Sequence, residues 1–152
     1  LNYESAKEYL INSQNTEHRF ELVEVHKDIT YINDSKSTNF NSVSMATTKV
    51  SNAILIMHGL TKNINSKDLN ISKDIKTIIL PKDMKVNLTD IQAEVIELDS
   101  IFDLEKKLQK IIHSGDTVLF SCGGASFNDF KNYEERGNFF KSVVSNIKVK
   151  NG

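Results

Sequence analysis

Ala53-Ile54-Leu55-Ile56-Met57-His58-Gly59-Leu60-Thr61-Lys62 is the stretch that decides the fold. Five apolar residues in succession are too few for a helix, and a short run without alternation reads as a strand buried on both faces. Working outward, further short buried strands are expected at 77–80, where Pro81 ends the segment, at 94–98 and at 117–120. Helical candidates fall at 39–50, 88–93, 101–113 and 128–147. Upstream, residues 19–25 alternate in a strand-like way with Phe20 and Leu22 on one face, 26–28 form a polar turn, and 29–32 resume as a second strand. Residues 5–11 read as the end of a helix and 12–16 as a turn. Strands alternating with helices imply βαβ units. The expected fold is therefore α/β, a Rossmann-like, mostly parallel sheet flanked by helices.

The bulk properties bound the function classes. A chain of 152 residues, 39% hydrophobic and 26% charged, suits one domain over 1–152. A formal net charge of −1 gives no basic surplus of the kind nucleic-acid binders carry, and no apolar run reaches the roughly 20 residues that span a bilayer. Neither nucleic acid nor membrane is expected as a partner. The single cysteine, Cys122, excludes an internal disulfide framework and fits a reducing compartment. The chain opens on Leu1-Asn2-Tyr3-Glu4, with neither a secretory signal nor an initiator methionine, which reads as a start inside a longer cytoplasmic protein. Lysine, asparagine and isoleucine abound while arginine occurs only as Arg19 and Arg136. In so lysine-biased a chain a retained arginine marks either chance or a need for the planar fork.

In an open α/β sheet, ligands gather at the carboxyl ends of the strands. Three polar or glycine-bearing loops fall there: 33–39, 58–63 and 121–129. Asp34-Ser35-Lys36-Ser37-Thr38-Asn39 is either an anion site at a helix start or a well-capped helix beside a solvated lysine. Lys62 could hold a carboxylate or phosphate, or be solvated. Ser121-Cys122-Gly123-Gly124-Ala125-Ser126 lets backbone approach a ligand, or is simply a tight turn. It is no Walker A loop, and G-x-G-x-x-G is absent. Cys122 lacks an adjacent histidine and reads as a small buried thiol. His18, His26, His58 and His113 show no metal-ligand spacing, so no metal site is expected in this chain.

Ala125-Ser126-Phe127-Asn128-Asp129-Phe130-Lys131-Asn132-Tyr133-Glu134-Glu135-Arg136-Gly137 resembles the A-S-x-D-x-F-x-x-F/Y-x-x-R-G signature of the UDP-N-acetylmuramoyl-L-alanine:D-glutamate ligases, a Mur ligase family. Three more stretches agree in order. His18-Arg19-Phe20-Glu21 is similar to that family's H-R-F/M-E segment. Asn33-Asp34-Ser35-Lys36-Ser37-Thr38-Asn39 resembles N-D-S-K-A-T-N, and His58-Gly59-Leu60-Thr61-Lys62 resembles G-G-x-D/G-K. Departures include His58 for a glycine, Thr61 for an acid or glycine, Ser37 for an alanine, and Ser121-Cys122 where relatives often carry Ser-Pro.

This resemblance implies the C-terminal domain of such a ligase, with residues 1–16 a connector from a central domain. It implies that Arg19 reaches ATP phosphates, Asp34 the ribose hydroxyls, and Lys36, the catalytic candidate, the transferring phosphate. Thr38, Lys62, Ser126 and Tyr133 would hold D-glutamate. Arg136 is read as half of a structural ion pair. The implied reaction phosphorylates the carboxylate of UDP-N-acetylmuramoyl-L-alanine for attack by the amine of D-glutamate, with Mg²⁺ held by the central domain. A monomer is expected, inactive without the rest of the enzyme. The alternatives are another Mur or folylpolyglutamate-type amide ligase, or a non-catalytic α/β binding module.

Overall fold

The structure, a computed structural model, describes residues 16–61 and 69–151. The helix expected at 5–11 and nearly all of the expected connector lie outside them. Six strands form one sheet in the order β1-β2-β6-β3-β4-β5. β1 (Glu21–His26) pairs antiparallel with β2 (Ile29–Asp34), while β3 (Ala53–His58), β4 (Ile75–Pro81), β5 (Glu94–Leu98) and β6 (Thr117–Gly123) extend the sheet in parallel. The α/β expectation holds, with one antiparallel edge, but β5, expected to be buried, is the opposite edge strand, with Glu94, Val95 and Glu97 exposed.

The β1–β2 hairpin turns on Lys27 and Asp28, at φ 52° and 61°. Positive φ at both central residues gives the turn whose twist matches the flanking strands. β1 starts two residues later than expected. Phe20 leaves the extended region at φ 44°, and its N–H is drawn to Oδ1 of Asp34 at 2.9 Å.

Successive residues of β3 point to opposite faces, so its continuous apolar run feeds two cores. Ile54 and Ile56 join Tyr31, Phe120, Cys122 and Phe140 on one side. Ala53, Leu55 and Met57 join Phe20, Phe40, Val43 and Ile78 on the other. The second side is covered by α1 (Phe40–Thr47), which Asn39 caps by accepting from the Ser42 N–H at 2.9 Å. The first side is covered by α2 (Leu104–Ile111) and α3 (Tyr133–Lys150). A 3-10 turn at Ile101–Asp103 leads into α2, with Ser100 capping Phe102.

Two helix expectations are corrected. Residues 88–93 form turns rather than a helix. Asn87 accepts from both the N–H and the hydroxyl of Thr89, a local bond that competes with helical pairing, and six residues make too short a helix to persist. The last helix begins at Tyr133 and not at 128. Asn132 accepts from the Glu135 N–H and so defines the N-cap, while Ser126–Asn128 forms a separate 3-10 turn. No helix among the described residues is long and apolar enough to cross a membrane.

Candidate functional site

Because β2, β6 and β3 run parallel side by side, their carboxyl ends share one edge. Asp34 pairs with Ser121 and His58 with Gly123 in the strand register. The three loops expected at the functional rim are thereby brought together from sequence positions about ninety residues apart.

Asp34, the last residue of β2, is only 4% exposed. Its Oδ1 accepts from the Phe20 N–H, and its Oδ2 accepts from the hydroxyls of Ser37 and Ser121. Burial pushes its carboxyl above the usual range, against the pull of those donors and of Lys49. The carboxylate therefore ties the segment before β1 and the β6 end to the loop Ser35–Asn39. Three of its roughly four lone-pair sites are used.

Arg136 is fully buried. Its Nε donates to Ser35 Oγ at 3.0 Å and its Nη2 to the Ser35 carbonyl at 2.7 Å. Its Nη1 donates to the Gly124 carbonyl at 2.8 Å and lies 3.3 Å from both the carbonyl and Nδ1 of His58. One guanidinium thus binds all three rim loops. This corrects the expected ion pair: among the described residues no carboxylate pairs with Arg136, and its acceptors are mostly main-chain carbonyls. The five-donor planar fork suits such a set, where lysine would reach fewer.

His58 is equally buried, and its Nε2 lies 2.7 Å from Oδ2 of Asp129. A guanidinium can only donate, so Nδ1 accepts from Arg136 and Nε2 carries the proton given to Asp129. Burial holds the imidazole below its ordinary range; Asp129 opposes that shift and Arg136 adds to it. After His58 the chain turns at Gly59, at φ 124°, where a Cβ would strike the backbone of Gly124 and Ala125. That contact lets Leu60 and Ala125 exchange two main-chain hydrogen bonds, at 2.8 and 2.9 Å.

The nucleotide candidates Arg19, Asp34 and Lys36 line one cavity of about 220 Å³, with Phe20, Ser37, Ser42, Met45, Ala46 and Lys49 completing its wall. Arg19 is exposed and Lys36 half-buried. Of the D-glutamate candidates, Thr38 is exposed beside that cavity, Ser126 is buried at the start of the 3-10 turn, and Tyr133 begins α3. The Tyr133 carbonyl accepts from Ser35 Oγ at 2.7 Å, and its ring lies 5.6 Å from Lys36 Nζ. Lys62 lies outside the described residues. Cys122 is buried, its thiol pushed up to about 12 by desolvation, in keeping with the inert reading.

Sequence reasoning missed Lys49, whose Nζ sits 5.1 Å over the Phe20 ring, and the His58–Asp129 pair. Lys49 lies in no motif, and only the helix α1 between it and Asn39 turns it toward the cavity. The scarcity of arginine was a signal for Arg136, although it did not identify the partners.

No family model matches the chain. Its sequence is 35% identical over 153 residues to the UDP-N-acetylmuramoylalanine--D-glutamate ligase of Thermosipho africanus, covering 96% of this chain and 36% of that protein. It is 32% identical over 138 residues to the Chlamydia felis protein of the same name, covering 87% and 33%. The chain thus spans about a third of the length of the curated relatives it matches. Among solved structures, a domain of a putative UDP-N-acetylmuramate:L-alanyl-gamma-D-glutamyl-meso-diaminopimelate-type ligase from Haemophilus ducreyi aligns with a TM-score of 0.56 at 13% identity, covering 87% of this chain and 98% of that one. The MurF ligase of Thermotoga maritima, solved in complex with ADP, aligns with a TM-score of 0.58 at 13% identity, over 93% of this chain and 33% of that one. These structural likenesses concern the fold. By sequence the chain is a homologue of the C-terminal third of UDP-N-acetylmuramoylalanine--D-glutamate ligases, and it shares the fold of solved Mur ligase domains.

Proposed function

We propose that the protein carrying this domain is an ATP-dependent amide ligase of peptidoglycan synthesis, acting in the cytoplasm as a monomer. It joins D-glutamate to UDP-N-acetylmuramoyl-L-alanine. The observation that carries the reading is the convergence of Arg19, Asp34 and Lys36 on one cavity, with Lys36 in turn reaching the ring of Tyr133. Phosphate-type and amino-acid-type candidates thus meet at Lys36.

The residues fit part of a nucleotide. The three cations around the cavity, Arg19, Lys36 and Lys49, suit phosphate oxygens, and the unused lone-pair capacity of Asp34 suits a ribose hydroxyl. A volume near 220 Å³ falls below the roughly 300 Å³ at which small-molecule pockets begin, which favours a half-site completed by another domain. Mg²⁺ is assigned to that domain. Arg19 and Lys36 would offset charge on the phosphoryl group as it passes to the L-alanine carboxylate. Thr38, Lys62, Ser126 and Tyr133 would hold the two carboxylates of D-glutamate for attack of its amine on the acyl phosphate. Closure of this domain over the central one then assembles the site, so the separated domain is inert.

ADP release by the full-length protein, with UDP-N-acetylmuramoyl-L-alanine and a panel of amino acids, tests the proposal. Dependence on D-glutamate alone is the expected result. Preference for another amino acid would assign a different amide ligase, and no response to any amino acid would assign a binding module.

A further inference from the structure

Neither His58 nor Asp129 is an identity that the family pattern requires: it has glycine at position 58 and leaves position 129 open. Its location is nonetheless central to the rim. The turn Ser126–Asn128 is fastened to the β3 loop at its near end by the Leu60–Ala125 bridge. At its far end Asp129 donates its N–H to the Ser126 carbonyl at 3.2 Å and accepts from His58 Nε2 at 2.7 Å. Arg136 holds His58 from behind, and the edge of the Phe130 ring packs on the imidazole with centroids 5.3 Å apart.

We infer that His58 is a positioning residue of the amino-acid pocket: it braces Asp129 and so fixes Ser126 relative to the end of β3. The chemistry suits an imidazole. A neutral ring accepts on one nitrogen and donates on the other, so it spans a buried cation and a carboxylate with both of its nitrogens satisfied. An ammonium here would face Arg136 with like charge. A glycine would leave the Asp129 carboxylate and one Arg136 N–H without this partner. The inference rests on the reading that Ser126 helps to hold D-glutamate.

Steady-state ADP release by the full-length protein, at saturating ATP and UDP-N-acetylmuramoyl-L-alanine with D-glutamate varied, tests it. His58→Ala is expected to raise the D-glutamate KM about tenfold through misplacement of the pocket, with kcat and the ATP KM within about twofold of wild type. Asp129→Ala should do the same, and the double variant no more than either alone, because the two act as a pair. His58→Gln, which keeps a donor and an acceptor, should recover most of the affinity. Asp129 is partly exposed, so its alanine variant decides the matter if His58→Ala does not fold. A D-glutamate-dependent wild type whose KM is unmoved in these variants overturns the inference and leaves the ligase reading standing. Equal losses toward ATP and D-glutamate with a lowered Tm also overturn it, leaving a purely structural role. A wild type that releases no ADP in response to D-glutamate overturns both.

Discussion

Arg136 on α3 donates twice to Ser35 at the end of β2, across 101 residues of sequence, through Nε to the hydroxyl and Nη2 to the carbonyl. With its bonds to Gly124 and His58, this makes Arg136 the point where the three loops of the rim are joined. The same helix start supplies Tyr133, whose carbonyl accepts a hydrogen bond from the Ser35 hydroxyl. The pocket proposed for D-glutamate is therefore framed by hydrogen bonds to main chain rather than by ion pairs.

Replacing Arg136 with methionine keeps volume and strands the carbonyls of Ser35 and Gly124. At about 1–3 kcal/mol for each buried group left unsatisfied, the expected loss is about 2–6 kcal/mol. Arg136→Lys should fall between that and wild type, because the fork is lost and the charge kept. Denaturant midpoints of the full-length variants check the order.

The R-G ending of the signature has a second physical basis. Asn33 Nδ2 donates to His18 Nδ1 at 2.9 Å, and the imidazole lies against Gly137, where a Cβ would collide with the ring. Gly137→Ala should cost about 1–3 kcal/mol by overpacking despite alanine's better helix propensity. His18→Ala should remove most of that cost in the double variant. A thermal unfolding cycle on the four proteins measures the coupling, which should be at least about 1 kcal/mol in favour of the double variant.

Asp34 has a role in the fold and a proposed one at the nucleotide. Asp34→Ala leaves the Phe20 N–H and the hydroxyls of Ser37 and Ser121 without their acceptor. The expected outcome is a stability loss of about 1–3 kcal/mol together with a higher ATP KM. A variant destabilised to the same degree at Gly137 should leave the ATP KM closer to wild type, and measuring both parameters on both proteins separates the two effects.

The fold was legible where the signal was burial. Continuous apolar runs at 53–57 and 117–120 mark strands covered on both faces, and their alternation with helical segments fixes the parallel sheet. Element edges were less legible, because they are set by single side chains competing for backbone. Asn132 starts α3 five residues late, Asn87 diverts 88–93 into turns, and the Asp34 carboxylate draws Phe20 out of β1. In the site, residue types that attract ligands stood out as motifs: Arg19, Asp34 and Lys36 lie on one cavity. The partners of Arg136 did not stand out, since a main-chain carbonyl leaves no trace in the identity of its residue. The His58–Asp129 contact joins positions 71 apart, one a departure from the family pattern and the other left open by it.

The central claim, that this domain holds D-glutamate for an ATP-driven ligation, is tested most directly by Lys62→Ala in the full-length protein. Loss of one charge-assisted contact to a carboxylate is worth about 1.5–3 kcal/mol, so the account predicts a D-glutamate KM raised on the order of 10- to 100-fold while the ATP KM stays near wild type. An unchanged D-glutamate KM would contradict it.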